Sequence, residues 1–120
     1  MTLAASSQVD LAPSIYRQRL VIEATCDDVI GSRAISDYLT GLSDVCDMAL
    51  LMPPVTHYSG QYGWAGWVHW ETSGAHMYAW ERPIKFFSVD IYTCKSFNPD
   101  RAVAYTVECF SIHEIVSRGF

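Results

Sequence analysis

The sequence predicts an α/β fold of the α+β kind, a two-layer sandwich with two helices on one face of a mainly antiparallel sheet. Three observations predict it. Aromatic-rich segments "WAGWVHW" (64–70), "AHMYAW" (75–80) and "KFFSVDIYTC" (85–94) lie close enough in sequence to form an antiparallel meander. One helix-forming segment lies on each side of that meander, one with helical spacing of its apolar residues and one with helix-start signals. Half of the 120 residues are hydrophobic, enough to give one domain a core. Helices on one face of such a sheet are its economical cover.

The elements follow in order. Residues 1–14 are small and polar, end near Pro13 and read as a disordered tail, leaving 15–120 as one domain. "YRQRLVIEA" (16–24) alternates as a strand does, and "CDDVIGS" is a turn. Ser32 can cap a helix through "RAISDYLTGLSDVCDM", where Ile35, Leu39, Leu42 and Val45/Cys46 share a face. "ALLM" reads as a short buried strand ended by Pro53-Pro54, and "THYSGQYG" as a loop. After the meander, Asn98 is the expected N-cap of a second helix, with Pro99 at its first position and Asp100 favouring its dipole. "HEIVSRGF" returns as a last strand.

Composition narrows the function. The formal net charge is −5 and no basic stripe occurs, which argues against nucleic-acid binding and suits a cationic small substrate. Charged residues are only 18% of the chain, a hint of a buried subunit interface. Cys26, Cys46, Cys94 and Cys109 form no CxxC pair, so no zinc ribbon is expected. The N-terminal residues lack the pattern of a secretory leader, and no stretch reaches the roughly 18 apolar residues of a membrane span. Free thiols in a reducing cytoplasm are the expectation.

Candidate chemistry centres on "WETSGAHMYAW" (70–80). A plain strand would alternate and avoid glycine. Here Ser73 stands between a β-branched residue and Gly74, where a bulge or sharp turn is expected. A serine hydroxyl beside a strained peptide can attack the preceding carbonyl, given an oxyanion donor and a base. An ordinary turn serine has the same spacing. His76 could serve as the base, yet on a continuous strand positions 73 and 76 face opposite sides. His57 and His69 are alternatives. His69, Glu71 and Ser73 would share a face if the strand ran through them. Cys94 ends "VDIYTC" and can donate a proton as a neutral thiol or simply fill core space. Asp90, charged within an apolar run, asks for a partner or a polar site. Trp64, Trp67, Trp70 and Trp80 could stack a flat ligand or pack the core. Cys26, Cys46 and Cys109 read as structural.

Taken together, "WETSGAHMYAWE" and "FFSVDIYTCKSFNPDRAV" resemble the small prokaryotic S-adenosylmethionine decarboxylase family, over most of the chain from about residue 18. The resemblance implies a two-layer sandwich that dimerises and makes its own cofactor. A serine attacks the preceding carbonyl, the chain splits, and the serine becomes a pyruvoyl group. Here the implied cut lies between Thr72 and Ser73. The pyruvoyl ketone would condense with the α-amine of S-adenosylmethionine and take up the electron pair released with carbon dioxide. The product would be the aminopropyl donor for spermidine. Cys94 matches the family's catalytic proton donor, and His76 stands for its processing histidine. Glu71, Asp90 and Trp70 are the implied substrate-binding residues, with an aromatic near Ser73 stacking the purine.

The family's motif reads Glu-Ser-His-x-Ser-x-His, whereas this chain has Glu71-Thr72-Ser73-Gly74-Ala75-His76. Without a shift, Thr72 takes the serine position. With a one-residue shift Ser73 takes it, Thr72 replaces the glutamate, and His76 arrives two residues early. Ser73 is the better match because Ser73-Gly74 gives the better scissile geometry, and a threonine nucleophile would leave an extra methyl in place of a pyruvoyl. Two other readings stay open. One is a decarboxylase of another amino acid, such as ornithine or arginine. The other is an uncleaved homologue that binds a ligand or a partner subunit.

Overall fold

The computed structural model describes residues 9–120. Residues 1–8 of the expected tail lie outside them. In the remainder of that segment, Asp10 accepts a hydrogen bond from the Arg17 guanidinium at 2.6 Å. Arg17 also donates to the Ala12 carbonyl at 2.7 Å, which ties the segment to the start of the first strand.

Eight elements follow: β1 (Gln18–Cys26), α1 (Ser32–Val45), β2 (Val55–Ser59), β3 (Gly63–Trp70), β4 (Ser73–Trp80), β5 (Phe86–Thr93), α2 (Pro99–Cys109) and β6 (Ile112–Gly119). The strands form one six-stranded sheet in the order β2-β3-β4-β5-β1-β6. Every neighbouring pair is antiparallel. The β3–β4–β5 meander and the α+β sandwich are as the sequence predicts. β1 inserts between β5 and β6, so strands far apart in sequence become neighbours.

Period-two alternation sorts the side chains. Leu20, Ile22 and Ala24 of β1, Val68 and Trp70 of β3, Ala75 and Met77 of β4, and Phe87, Val89 and Ile91 of β5 are buried on the helix-covered face. From α1 come Ile35, Tyr38, Leu39, Leu42 and Ser43, the helical stripe read from the sequence with Tyr38 and Ser43 added. The helix comes so close to the sheet at Gly66 that an added Cβ there would sit 2.5 Å from Ile35 Cγ2. α2 buries Ala102 and Thr106, small residues that let it lie against α1. There Tyr105 stacks on Tyr38 with ring centroids 5.3 Å apart, and the Tyr38 and Thr106 hydroxyls are 2.7 Å apart.

Helix α2 starts as expected: Asn98 Oδ1 accepts the amides of Asp100 at 2.9 Å and Arg101 at 3.3 Å. Helix α1 does not. Its N-cap is Gly31, with no side-chain cap, and Ser32 Oγ instead bonds Thr56 Oγ1 at 2.7 Å. Two further expectations change. "ALLM" is no buried strand: Leu50, Leu51 and Met52 are exposed, and only an isolated bridge joins Leu50 to Trp70. The paired strand at that edge is β2, within the segment expected as a loop. Val55-Thr56-His57-Tyr58 is β-branched and aromatic and follows two prolines, so it pairs with β3 as a short edge strand.

Candidate active site

The site is built where the β3–β4 hairpin meets the end of β5. Trp70 pairs with Ser73, leaving Glu71 and Thr72 as a two-residue turn. Two-residue hairpins favour turns with positive φ, but neither turn residue has it. The turn is held from outside instead. The Glu71 amide donates to the Ala49 carbonyl at 2.9 Å, and Leu51 N donates to His69 O at 3.1 Å. The isolated 49–51 segment thus clamps the hairpin.

Trp70 anchors the hairpin from below. It is 2% exposed, and its indole Nε1 donates to Ser43 Oγ at 2.6 Å. Ser43 in turn donates to Leu39 O at 2.9 Å. This corrects the expected role of Trp70: sealed under α1, it has no free face for a purine.

Ser73 opens β4 and pairs with Thr93 of β5. Its Oγ donates to Thr72 Oγ1 at 3.1 Å and accepts from the Cys94 amide at 3.1 Å. The same Cys94 amide donates to the Thr72 carbonyl oxygen at 3.3 Å. One N–H therefore touches both the hydroxyl and the carbonyl that precedes it. Thr72 Oγ1 reaches Met48 Sδ at 3.6 Å. Cys94 is an exposed free thiol immediately past β5.

Gly74 has a reason other than a bulge. The β4 ladder runs without a register break on both sides, and Gly74 is not left-handed. A Cβ there would sit 2.9 Å from Val68 O and 3.4 Å from His69 Cδ2. The glycine permits close cross-strand approach and floors a hollow on the helix-free face.

That hollow has a volume of about 420 Å³. Trp67, His69, His76, Asp90 and Tyr92 line it around Gly74. His76 pairs with Trp67 on β3 and with Asp90 on β5, so the three form a row across the sheet. Trp67 meets His69 edge-on at 5.4 Å, and Arg19 lies 4.7 Å over the Tyr92 ring.

The structure therefore brings Ser73, Thr72 and Cys94 together, and separately His76 and Asp90. It does not bring His76 to Ser73. With no bulge in β4, Ser73 points with Ala75 and Met77 toward the helices, while His76 is on the other face. Nor do His69, Glu71 and Ser73 share a strand face, because the chain reverses between them. Of the remaining histidines, His57 is on edge strand β2 and His113 Nε2 contacts Asp27 Oδ1 at 2.5 Å. Glu71 is exposed at the turn. Trp67 is one of the four tryptophans the sequence offers for stacking, and Tyr92 is the lining residue it misses. Both lie on the strand face opposite the core, a parity that alternation from buried Val68 and Ile91 makes readable.

The sandwich and its hairpin define a two-layer α+β protein with a serine at the mouth of a strand. The chain belongs to the S-adenosylmethionine decarboxylase family, whose model matches residues 22–119. Its fold is similar to the crystal structure of the adenosylmethionine decarboxylase from Aquifex aeolicus VF5, with a TM-score of 0.70 at 16% identity over 88% of this chain and 89% of that one. No curated protein matches it in sequence.

Proposed function

We propose that the chain is a pyruvoyl-dependent S-adenosylmethionine decarboxylase that cuts itself between Thr72 and Ser73 and supplies the aminopropyl donor for spermidine. The observation that carries this is the Cys94 amide, which bonds both the Thr72 carbonyl oxygen and Ser73 Oγ. A donor on that carbonyl stabilises the negative charge that grows there as Ser73 Oγ attacks. In the attack the Oγ–C bond forms as the Thr72–Ser73 C–N bond breaks, leaving an ester and a free Ser73 amine. Loss of the Ser73 α-proton then expels the Thr72 carboxylate and separates the fragments. Water converts the dehydroalanine left at position 73 to pyruvoyl with release of ammonia. The same geometry favours Ser73 over Thr72 as nucleophile, because it is the carbonyl before Ser73 that accepts the bond.

The residues present suit a pyruvoyl group at position 73: a serine heads a strand, and its oxygen meets a backbone donor. When formed, such a group supplies an electron-withdrawing carbonyl that takes up the electron pair left by departing carbon dioxide. The chain's own residues do the rest. Cys94, adjacent and exposed, is the proton donor to the reacting carbon. The cut frees the start of β4, so position 73 can turn past Gly74 toward the hollow on the other face, where Trp67 and Tyr92 offer ring faces for the purine and Asp90 offers a charge for its cationic part. Glu71 stands at the hairpin turn beside the cut. The working unit is a cytoplasmic homodimer.

A second reading has its own observation. None of the four histidines lies on the Ser73 face of the sheet near the hydroxyl. A serine without a base is a poor nucleophile. In that reading the chain stays whole and the same hollow binds a ligand without turnover. Release of carbon dioxide from carboxyl-labelled S-adenosylmethionine, compared with labelled ornithine and arginine, tests the proposal. Release from the first alone, lost in Ser73→Ala, is the expected result. Release from ornithine or arginine instead moves the substrate, and release from none supports the second reading.

A further inference from the structure

Between the end of β5 at Thr93 and the start of α2 at Pro99 the chain has no regular structure. Cys94 lies in that link, and its amide donates both to Ser73 Oγ at 3.1 Å and to the Thr72 carbonyl oxygen at 3.3 Å. Good bonds of this kind span roughly 2.7–3.2 Å, so a small drift of the link loses the carbonyl first. Cys94, Lys95 and Ser96 are exposed, so core packing does not hold them in place.

Two side chains hold the link instead. Lys95 Nζ donates to the Asp47 carbonyl at 2.7 Å, in the turn that follows α1. Gln18 makes the closer grip. It pairs with Thr93, which pairs with Ser73, so the three stand in one row across β1, β5 and β4. Gln18 shares the strand parity of buried Leu20, which puts the row on the helix-covered face. Thr93 is fully buried, and its hydroxyl donates to the Gln18 carbonyl at 3.2 Å. The Gln18 side chain reaches past the strand end. Its Nε2 donates to the Phe97 carbonyl at 3.0 Å, and its Oε1 accepts the Phe97 amide at 3.1 Å. The side-chain amide thus does for Phe97 what a facing strand would do, and only one orientation of it makes both bonds. The Tyr16 hydroxyl donates to the same Oε1 at 3.1 Å.

We infer that Gln18 is a positioning residue for the self-cleavage. By holding both backbone groups of Phe97 it keeps the Cys94 amide on the Thr72 carbonyl oxygen, where charge grows during the attack. Its amide bonds Phe97 and Tyr16, so it acts on the cut through the link. The inference rests on the proposed cut between Thr72 and Ser73.

Two readouts test it. The first is the fraction of full chain cut with time after cell-free synthesis. Gln18→Ala should slow the cut roughly tenfold or more relative to wild type. Gln18→Glu keeps an acceptor for the Phe97 amide but sets a carboxylate against the Phe97 carbonyl. It should be equally slow at neutral pH and recover toward the wild-type rate as acid gives the new carboxyl a proton to donate. Gln18→Ala should not recover, and a merely structural loss would not respond to that proton. The second readout needs no cleavage. In the Ser73→Ala chain, uncut by design, adding Gln18→Ala should speed hydrogen exchange of the Cys94 amide several-fold. Amides within β5, which has partners on both sides, should stay protected. A wild-type chain that stays whole would overturn the cut and this inference with it. A wild-type chain that cuts, with Gln18→Ala cutting as fast, would overturn the inference alone. So would a Gln18→Glu chain that acid does not restore, or Cys94 exchange indifferent to Gln18→Ala.

Discussion

In the proposed cut, hydroxyl and backbone at Ser73 have separable tasks. Ser73→Ala removes the proposed nucleophile and should leave a single uncut chain on a denaturing gel. Cys94 splits differently. Its contact with Ser73 and Thr72 is through the amide, which alanine keeps. Cys94→Ala should therefore still self-cleave, while carbon dioxide release falls about 10²–10⁴-fold, the usual scale for losing a general acid. Loss of both in Cys94→Ala would refute that division of labour. The four thiols differ as well. Cys26 and Cys46 are buried and Cys94 is exposed, so mild alkylation of the folded protein should modify Cys94 and spare those two.

At the scale of elements, the hairpin depends on what lies under it. Ser43→Ala would strand the buried Trp70 indole N–H, costing about 1–3 kcal/mol in urea unfolding. Gly66→Ala would force α1 away from β3 at Ile35 and should cost about 1–3 kcal/mol by overpacking. Most of these elements were readable beforehand. The meander strands, the stripe of α1 and the Asn98-Pro99-Asp100 start of α2 announce themselves by period and cap chemistry. The elements around residues 49–59 did not, for a physical reason. "ALLM" is apolar without being covered, because it serves as a clamp on the hairpin rather than as core. β2 is short and exposed, and a strand needs only a paired edge, which composition does not reveal. The site was legible in part. Ser73 and Cys94 stand out in the sequence, but their meeting depends on the β4–β5 register. Trp70 misled because an aromatic beside the candidate serine looks the same whether it faces α1 or a ligand. The opposite placement of Ser73 and His76 follows from strand parity once Gly74 is known to make no bulge.

At the scale of the whole molecule, one face of the sheet is sealed by two helices and the other carries the hollow, with Ser73 at the hairpin tip turned to the helix side. The sealed side also sets an alkaline limit. Burial pushes the Cys46 thiol up to about 11 and raises Cys26 as well. A thiol ionises more readily in the unfolded chain than in this core, so the unfolded state loses protons first as pH rises. Stability from these groups is full below the ordinary thiol range and should fall as pH climbs toward about 11, seen as a declining urea midpoint that Cys46→Ala flattens. Among the described residues no helix is long and apolar enough to cross a membrane.

The central claim is the cut itself, and intact mass of the purified full chain under denaturing conditions tests it most directly. The account predicts two fragments meeting at the Thr72–Ser73 bond, the second with a blocked N-terminus that reacts with hydrazine. A single uncut mass, stable over days and without a hydrazine-reactive carbonyl, would contradict it and leave the chain a ligand-binding relative of the decarboxylases.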